Sequence, residues 1–413
     1  MRIATSTLNQ IGPTGIAQQQ SELLRLSNII ASGRTVSLAG DDPVAAAHAV
    51  VTKTALSANT QHTANQDAAN ASLGLESSTL NSAVTQLQKI QTLVAKANNG
   101  SLSDSDRAAY ATELESARAQ LLALANTTDA HGNYVFGGFQ TSAAPFSNNP
   151  NGAGVLYNGD QGQIKAQVGP TRQLAVNDPG SNVFLSSTPS VASSIATAPS
   201  SNAGSATIGV LSTVQAGAAS NSDAYTIAFQ KDANGNTTYT VTDNTTGTTT
   251  QPAAYSDGSA IPLGAGQTLM IHGAPEAGDT FDVGPPNAAQ SNVFATIDNL
   301  ITALRTPSQS PGGHANLANQ MASGLQQLGN TYTTMLTTLA SVGARQTELK
   351  SLKSVGSAKD LTYSSQLSDE VGLTTDKMPG VYEQLVSVST QLTATQTAFV
   401  KTQSLSLFSL IKT

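Results

Sequence analysis

The feature that most constrains this chain is a pair of apolar helical seams at its two ends, separated by a strand-rich middle. Near the start, Ile16, Leu23, Leu26 and Ile30 follow intervals of seven, three and four, which keeps them on one narrow helical face. Near the end, Leu385, Val388, Leu392 and Phe399 continue such a seam, with polar Thr395 at one seam position. Neither segment has a partner close to it in the chain. Isolated helices are marginal without tertiary burial, so the two seams are expected to pack on each other or on other subunits.

The same rhythm fills the interior flanks. Leu80, Ala83, Leu87, Ile90 and Val94 form one stripe, and Tyr110, Leu114, Ala117, Leu121 and Leu124 another. Asn98, Asn99 and Gly100 break the pattern between them, which predicts a helical hairpin. Ser103 and Asp106 offer a capping box at the start of its second helix, with Asp in place of the usual Glu or Gln. Asn126 can end that helix. A stricter alternation of four and three runs from Met321 through Leu325, Leu328, Tyr332, Met335 and Leu339 to Val342, the strongest coiled-coil signal in the chain. A break is expected around Met378, Pro379 and Gly380, before the last helix.

The middle reads differently. YTIAFQ from Tyr225 and TTYTVT ending at Thr242 alternate around KDANGN, where Asn234 and Gly235 supply a hairpin turn. VLYNGDQGQIKAQV suggests another pair, its apolar ends separated by residues Asn158 to Gly162. Ser186 to Ser222 is mostly Ser, Ala, Thr and Gly, which predicts a loop or weakly ordered insertion. The fold class is therefore α+β, with helical flanks around an inserted β-rich module.

Residues 32 to 49, SGRTVSLAGDDPVAAAHA, punctuate two helices tightly. Gly33 suits the left-handed position that ends a helix. Asp42 can cap the next helix, whose first residue, Pro43, has no N–H to leave unpaired. Asp41 would add favourable charge at that positive end. The pair Asp41 and Asp42 could be imagined as acid and base, but capping explains both.

Composition narrows the function classes. Aromatic residues are 4% and charged residues 11% of the 413, there is no Trp, and the first aromatic is Tyr110. A conventional enzyme core does not fit. Residues 147 to 290 carry a balance of −6 out of the total of −7, leaving the helical flanks nearly neutral. Near-neutral helices can pack densely with their own kind, while the acidic middle favours solubility. No basic stripe with interleaved aromatics points to nucleic acid. No apolar stretch is long enough to suggest membrane insertion. The absence of Cys removes disulfides and thiolate metal sites. The five histidines form no HExxH pair, and Gly132, Gly137 and Gly138 match no nucleotide-loop spacing. Asp232, Asn234 and Asn236 resemble the start of a calcium loop but lack its glycine position and closing Glu. No catalytic, cofactor-binding or metal-ligating residue can be nominated. The start MRIATSTLNQIGPTG has no secretory signal, which on its own reads as cytosolic.

Several stretches together carry a family resemblance: MRIATSTL at the start, the SGRTVSLAGDDPVAAAHA corner, and the run GSLSDSDRAAYATELESARAQLLALANTTDAHGNYVFGG from Gly100. YNGDQGQIKAQVG, VNDPGSNVF from Val176 and the closing SLSLFSLIKT add to it. The chain resembles the flagellin superfamily, most closely its hook-associated protein 3 branch. One departure is Ala39 and Gly40, where that family commonly has Pro-Ser.

The resemblance implies a non-enzymatic structural subunit of the bacterial flagellum that uses no cofactor. It implies export through the flagellar type III apparatus without a cleaved signal peptide, and an extracellular location, replacing the cytosolic reading. Implied partners are hook-associated protein 1, flagellin, further copies of itself in a ring or layer, and an export chaperone that would use the C-terminal region, including Phe408. Implied domains are an N-terminal axial helix (1–40), two halves of a helical rod (41–146 and 291–377), an outer β-rich domain (147–290) and a C-terminal axial helix (378–413). The eight seam residues at the chain ends, together with Phe408, become candidate assembly contacts. Gly33, Asp41, Asp42 and Pro43 become a structural corner between shells. The nearest alternative is a flagellin or flagellin-like filament subunit; a β-module adhesin on a helical stalk is a third reading.

Overall fold

The computed structural model describes residues 5–185, 194–287, 290–307 and 310–411, with side chains of residues 5–10 and 404–411 outside the description. In chain order, helices α1 (Thr5–Ser32), α2 (Pro43–Ala97) and α3 (Asp104–Ala125) come first. Strands β1 (Phe146–Asn148), β2 (Val155–Tyr157), β3 (Lys165–Gln167) and β4 (Gln173–Ala175) follow, then the short helix α4 (Gly180–Phe184). The main β region comprises β5 (Ile195–Thr197), β6 (Thr207–Thr213), β7 (Tyr225–Lys231), β8 (Thr237–Asp243), β9 (Thr248–Thr249), β10 (Ala253–Ala254), β11 (Ala260–Leu263), β12 (Gln267–His272) and β13 (Thr280–Gly284). Helices α5 (Val293–Arg305), α6 (Pro311–Val371) and α7 (Met378–Ile411) complete the chain. Long N- and C-terminal helices thus enclose a β-rich middle, as the sequence predicts.

The chain divides into two compact units. One holds residues 1–65 and 351–413, the other residues 66–350. In the larger unit, the expected helical stripe is the core: Leu80, Ala83, Leu87, Ile90 and Val94 on α2 are buried, as are Leu114, Ala117 and Leu121 on α3. The capping box forms as expected, Ser103 Oγ accepting from Asp106 N and Ser103 N donating to the Asp106 carboxylate. On α6, Met321, Leu328, Met335, Val342 and Leu349 are buried at intervals of seven, whereas the intervening Leu325, Tyr332 and Leu339 are half-buried. The heptad therefore buries one of its two seam positions more deeply.

The β region builds two antiparallel sheets over one apolar core. The larger runs β10-β8-β7-β13-β5 with β9 on β8, and the smaller runs β11-β12-β6. Ile227, Phe229, Leu269, Ile271 and Phe281 meet in the shared core. The β7–β8 hairpin matches the expected one, with Tyr225 opposite Asp243 and Lys231 opposite Thr237. Asp232 Oδ1 ties its turn by accepting from Asn234 N and Asn236 N, both at 2.8 Å.

Three expectations need correction. The two ends of VLYNGDQGQIKAQV do not pair with each other; β2 pairs with β1, and β3 with β4. The intervening loop is pinned elsewhere, because Asp160 Oδ1 accepts from Phe139 N and Gly162 N. The Tyr157 hydroxyl also lies 2.9 Å from the Phe136 carbonyl. Second, of the region expected to be loop, residues 186–193 lie outside the description, but β5 and β6 form within the rest. Backbone groups on their unpaired edges are satisfied by a stripe of α6 side chains. Asn319 accepts from Ile208 N at 2.7 Å and donates to Ala206 O at 3.1 Å. Ser323 donates to Ala196 O, and Gln326 accepts from Ala196 N at 2.8 Å. A helix thus takes the place of a neighbouring strand, and hydrophobic periodicity carries no trace of that. Third, Met378 and Pro379 open α7, so the break lies in residues 372–377. Proline at a first helical turn gives up no hydrogen bond there.

Candidate functional site

The predicted site residues fall in the smaller unit, where α1 packs against α7. Leu26 is buried in α1, and Ile16, Leu23 and Ile30 are half-buried. Ile29 is more deeply buried than Ile30, so the stripe is rotated slightly from the one read in the sequence. On α7, Leu385, Val388, Leu392 and Phe399 are all half-buried, as is Thr395. Phe408 lies among the side chains outside the description. The Phe399 ring sits over Gly12, where an added Cβ would lie 2.5 Å from the ring Cδ2. Sequence reasoning missed Gly12. Its signal was a glycine inside a helical pattern, which costs stability unless close approach requires it.

The pair does not exhaust its apolar surface. Ile11, Leu24, Tyr382, Val386 and Val400 remain exposed, several by more than 60%. Apolar side chains left exposed on paired helices are available for contact with neighbouring molecules.

The corner between α1 and α2 is tied to the segment between α6 and α7. Gly33 ends α1 with φ +64°, a conformation that other residues adopt at a cost. Its carbonyl accepts from Leu373 N at 2.8 Å, and Thr35 N donates to Val371 O at 2.9 Å. Arg34 and Gly372 form an antiparallel bridge. Each corner therefore supplies hydrogen-bond partners for the other, although more than 330 residues separate Thr35 from Gly372 in the chain.

The two aspartates of the corner have different tasks. Asp42 Oδ1 accepts from Val44 N and Ala45 N at 3.0 and 2.9 Å, capping α2 at Pro43. Asp41 does not serve mainly as helix-end charge. Its Oδ2 accepts from Leu38 N at 2.9 Å and Ser37 N at 3.0 Å, closing the loop across Ala39 and Gly40. Those backbone N–H groups hold its carboxyl below the usual range. With both carboxylates committed to backbone donors, neither is arranged as an acid–base partner of the other. Val36, Ala49 and Val371 form the small apolar core under the corner, with Ala45, Ala46 and Leu367 packed against it.

Among the described residues, no group of three or more His, Cys, Asp or Glu side chains is placed to hold a metal ion. No described helix is long and apolar enough to cross a membrane. The contacts the structure shows here are helix packing and backbone pairing.

Residues 3–141 match the family model for the bacterial flagellin N-terminal helical region. Flagellar hook-associated protein 3 of Escherichia coli (strain K12) is 29% identical over 413 residues, spanning 100% of both chains. The crystal structure of Xanthomonas campestris FlgL aligns with a TM-score of 0.67 and 31% identity, covering 77% of this chain and 99% of that one. The flagellar junction protein FlgL from Legionella pneumophila aligns with a TM-score of 0.67 and 28% identity, covering 79% and 100% respectively. The full-length sequence match and the shared fold agree with the resemblance carried by the corner, the hairpin and the chain ends: this chain belongs to the flagellar hook-associated protein 3 (FlgL) family of flagellar structural proteins.

Proposed function

We propose that this structural subunit joins the hook to the filament, seated on a layer of hook-associated protein 1 and presenting a matching surface to flagellin. The observation that carries the proposal is the α1–α7 pair, whose inner seam is half-buried at every position but Leu26 and whose apolar residues Leu24, Val386 and Val400 are exposed. Neighbouring subunits would complete that burial, at about 25 cal/mol for each Å² of apolar surface removed from water. Ile16, Leu23, Leu26, Ile30, Leu385, Val388, Leu392 and Phe399 act as the paired assembly seam, and residues 1–40 and 378–413 as the axial segments. Residues 41–146 and 291–377 form the supporting helical layer, and residues 147–290 the outer module. The subunit leaves the cell through the flagellar type III apparatus in the care of a chaperone that holds its C-terminal region, including Phe408, and assembles with further copies of itself.

Deleting residues 385–413 and adding the truncated chain to hook-associated protein 1 and flagellin tests this reading. Loss of ordered co-assembly, with the β module still folded by circular dichroism, is the expected result. Junctions that form without the segment would refute the seam. Polymerisation distinguishes the flagellin-like alternative: long filaments grown by the purified chain alone would move it to that class.

A further inference from the structure

The turn between α2 and α3 carries an arrangement that the assembly role does not use. Asn99 and Gly100 sit exposed at its tip. The Asn99 side-chain oxygen accepts two hydrogen bonds, from Ser101 N at 3.1 Å and Ser101 Oγ at 2.9 Å. The Asn99 backbone carbonyl accepts from Leu102 N at 3.1 Å, which fixes the turn around Gly100. Gly100 N–H itself donates to no group among the described residues, and a Cβ added at Gly100 would meet nothing within 4 Å.

We propose that Asn99–Gly100 is a self-modifying site, at which the protein converts its own asparagine to aspartate and isoaspartate. In the step, Gly100 N gives its proton to hydroxide and bonds to the Asn99 side-chain carbonyl carbon. The amide nitrogen, protonated by water, leaves as ammonia, which closes a succinimide. Water then adds to either ring carbonyl: opening one C–N bond yields aspartate, opening the other yields isoaspartate. The two Ser101 donors face the oxygen on which negative charge develops as the ring closes, the arrangement that stabilises a tetrahedral oxyanion.

Three other Asn–Gly pairs in the same chain lack this combination. At Asn234, Gly235 N–H is engaged with Asp232 O at 3.0 Å, which opposes its deprotonation. At Asn158, the side-chain amide donates to Ser147 Oγ at 3.0 Å and is held in place by its nitrogen. At Asn151, the backbone N–H is bound by Asn149 Oδ1 at 3.0 Å, and no donor is aimed at the side-chain oxygen among the described residues. Conversion at Asn99 places a new negative charge just beyond the carboxyl end of α2, where the helix dipole opposes it. In the isoaspartate form it also lengthens the turn by one backbone carbon.

The test is incubation of the full chain at pH 8, with tryptic peptide mapping of the one-dalton gain at each Asn–Gly pair and enzymatic labelling of isoaspartate. Asn99 should convert at least about fivefold faster than Asn151, Asn158 or Asn234. In denaturing urea the four rates should draw together. Ser101→Ala should slow Asn99 alone, and the unchanged rates at the other three pairs would show that the fold is intact. A folded-state rate at Asn99 no greater than at Asn151, or a Ser101→Ala variant that reacts as fast as or faster than the parent, would overturn the proposal. Either result would mean that the two hydrogen bonds restrain the amide instead of activating it.

Discussion

Glu76 gives the sharpest physical prediction. It lies on the buried face of α2 between Leu73 and Leu80, fully enclosed. Its Oε1 accepts from Asp178 N at 3.1 Å, while its Oε2 is buried with no hydrogen-bond partner among the described residues. Burial is the main reason its carboxyl is pushed up to about 9, and the Asp178 carboxylate adds to the effect; Arg345 opposes it. Arg345 pairs with Asp178 and donates to Ala175 O at 3.1 Å, so the cation is already engaged. Glu76 is therefore a neutral acid at pH 7 in the folded chain and ionised in the unfolded one. Because the folded state holds the extra proton, its contribution is fully present below the unfolded value of about 4.5 and declines as pH rises toward about 9. The decline is at most about 1.4 kcal/mol per pH unit, the limit for one proton.

Glu76→Gln keeps the shape and removes the titration. Urea unfolding of parent and variant from pH 5 to pH 8 isolates this group, since depressed carboxylates such as Asp41 and Asp106 titrate below that window and cancel in the comparison. The stability of the variant relative to the parent should rise by up to about 4 kcal/mol across the range. Native-state hydrogen exchange from Leu73 to Leu80 assigns the change to the larger unit. Parallel pH profiles in parent and variant would refute the reasoning, because they would mean that Glu76 carries the same charge folded and unfolded.

The corner and the β module offer further tests. Asp42→Ala removes the cap on Val44 N and Ala45 N and should cost about 1 kcal/mol, seen as faster amide exchange in the first turn of α2. Gly33→Ala forces a side chain into φ +64° and should cost about 1–2 kcal/mol, read as a lower midpoint for the smaller unit in a denaturant titration. Asn319→Leu leaves Ile208 N and Ala206 O without their helix partner, a loss of about 2–5 kcal/mol that should appear as faster exchange at Ile208 while α1 and α7 remain protected.

Much of this architecture is readable in residue order. The stripe from Leu80 to Val94, the Ser103–Asp106 box, the Asn234–Gly235 turn and the Asp42–Pro43 helix start all rest on forces between residues a few positions apart. Periodicity and capping report such forces directly. The candidate site was legible only in part. The apolar stripes of α1 and α7 were readable in residue order, but the preference for Ile29 over Ile30 depends on the rotation of α1 against α7, which small shifts in packing decide.

What the sequence by itself determined is the start of α2 and of α3, which faces are apolar, and that a strand-rich module interrupts the helices. The flagellar family was legible in the same residues. Only the tertiary structure decided that the Gly33 corner pairs with Val371 to Leu373, that polar side chains of α6 close the edges of β5 and β6, and that Glu76 stays protonated. Each of these depends on a backbone group or a charge meeting a partner distant in the chain. Buried polar groups must find partners wherever the fold brings them, and no local pattern records which partner that will be.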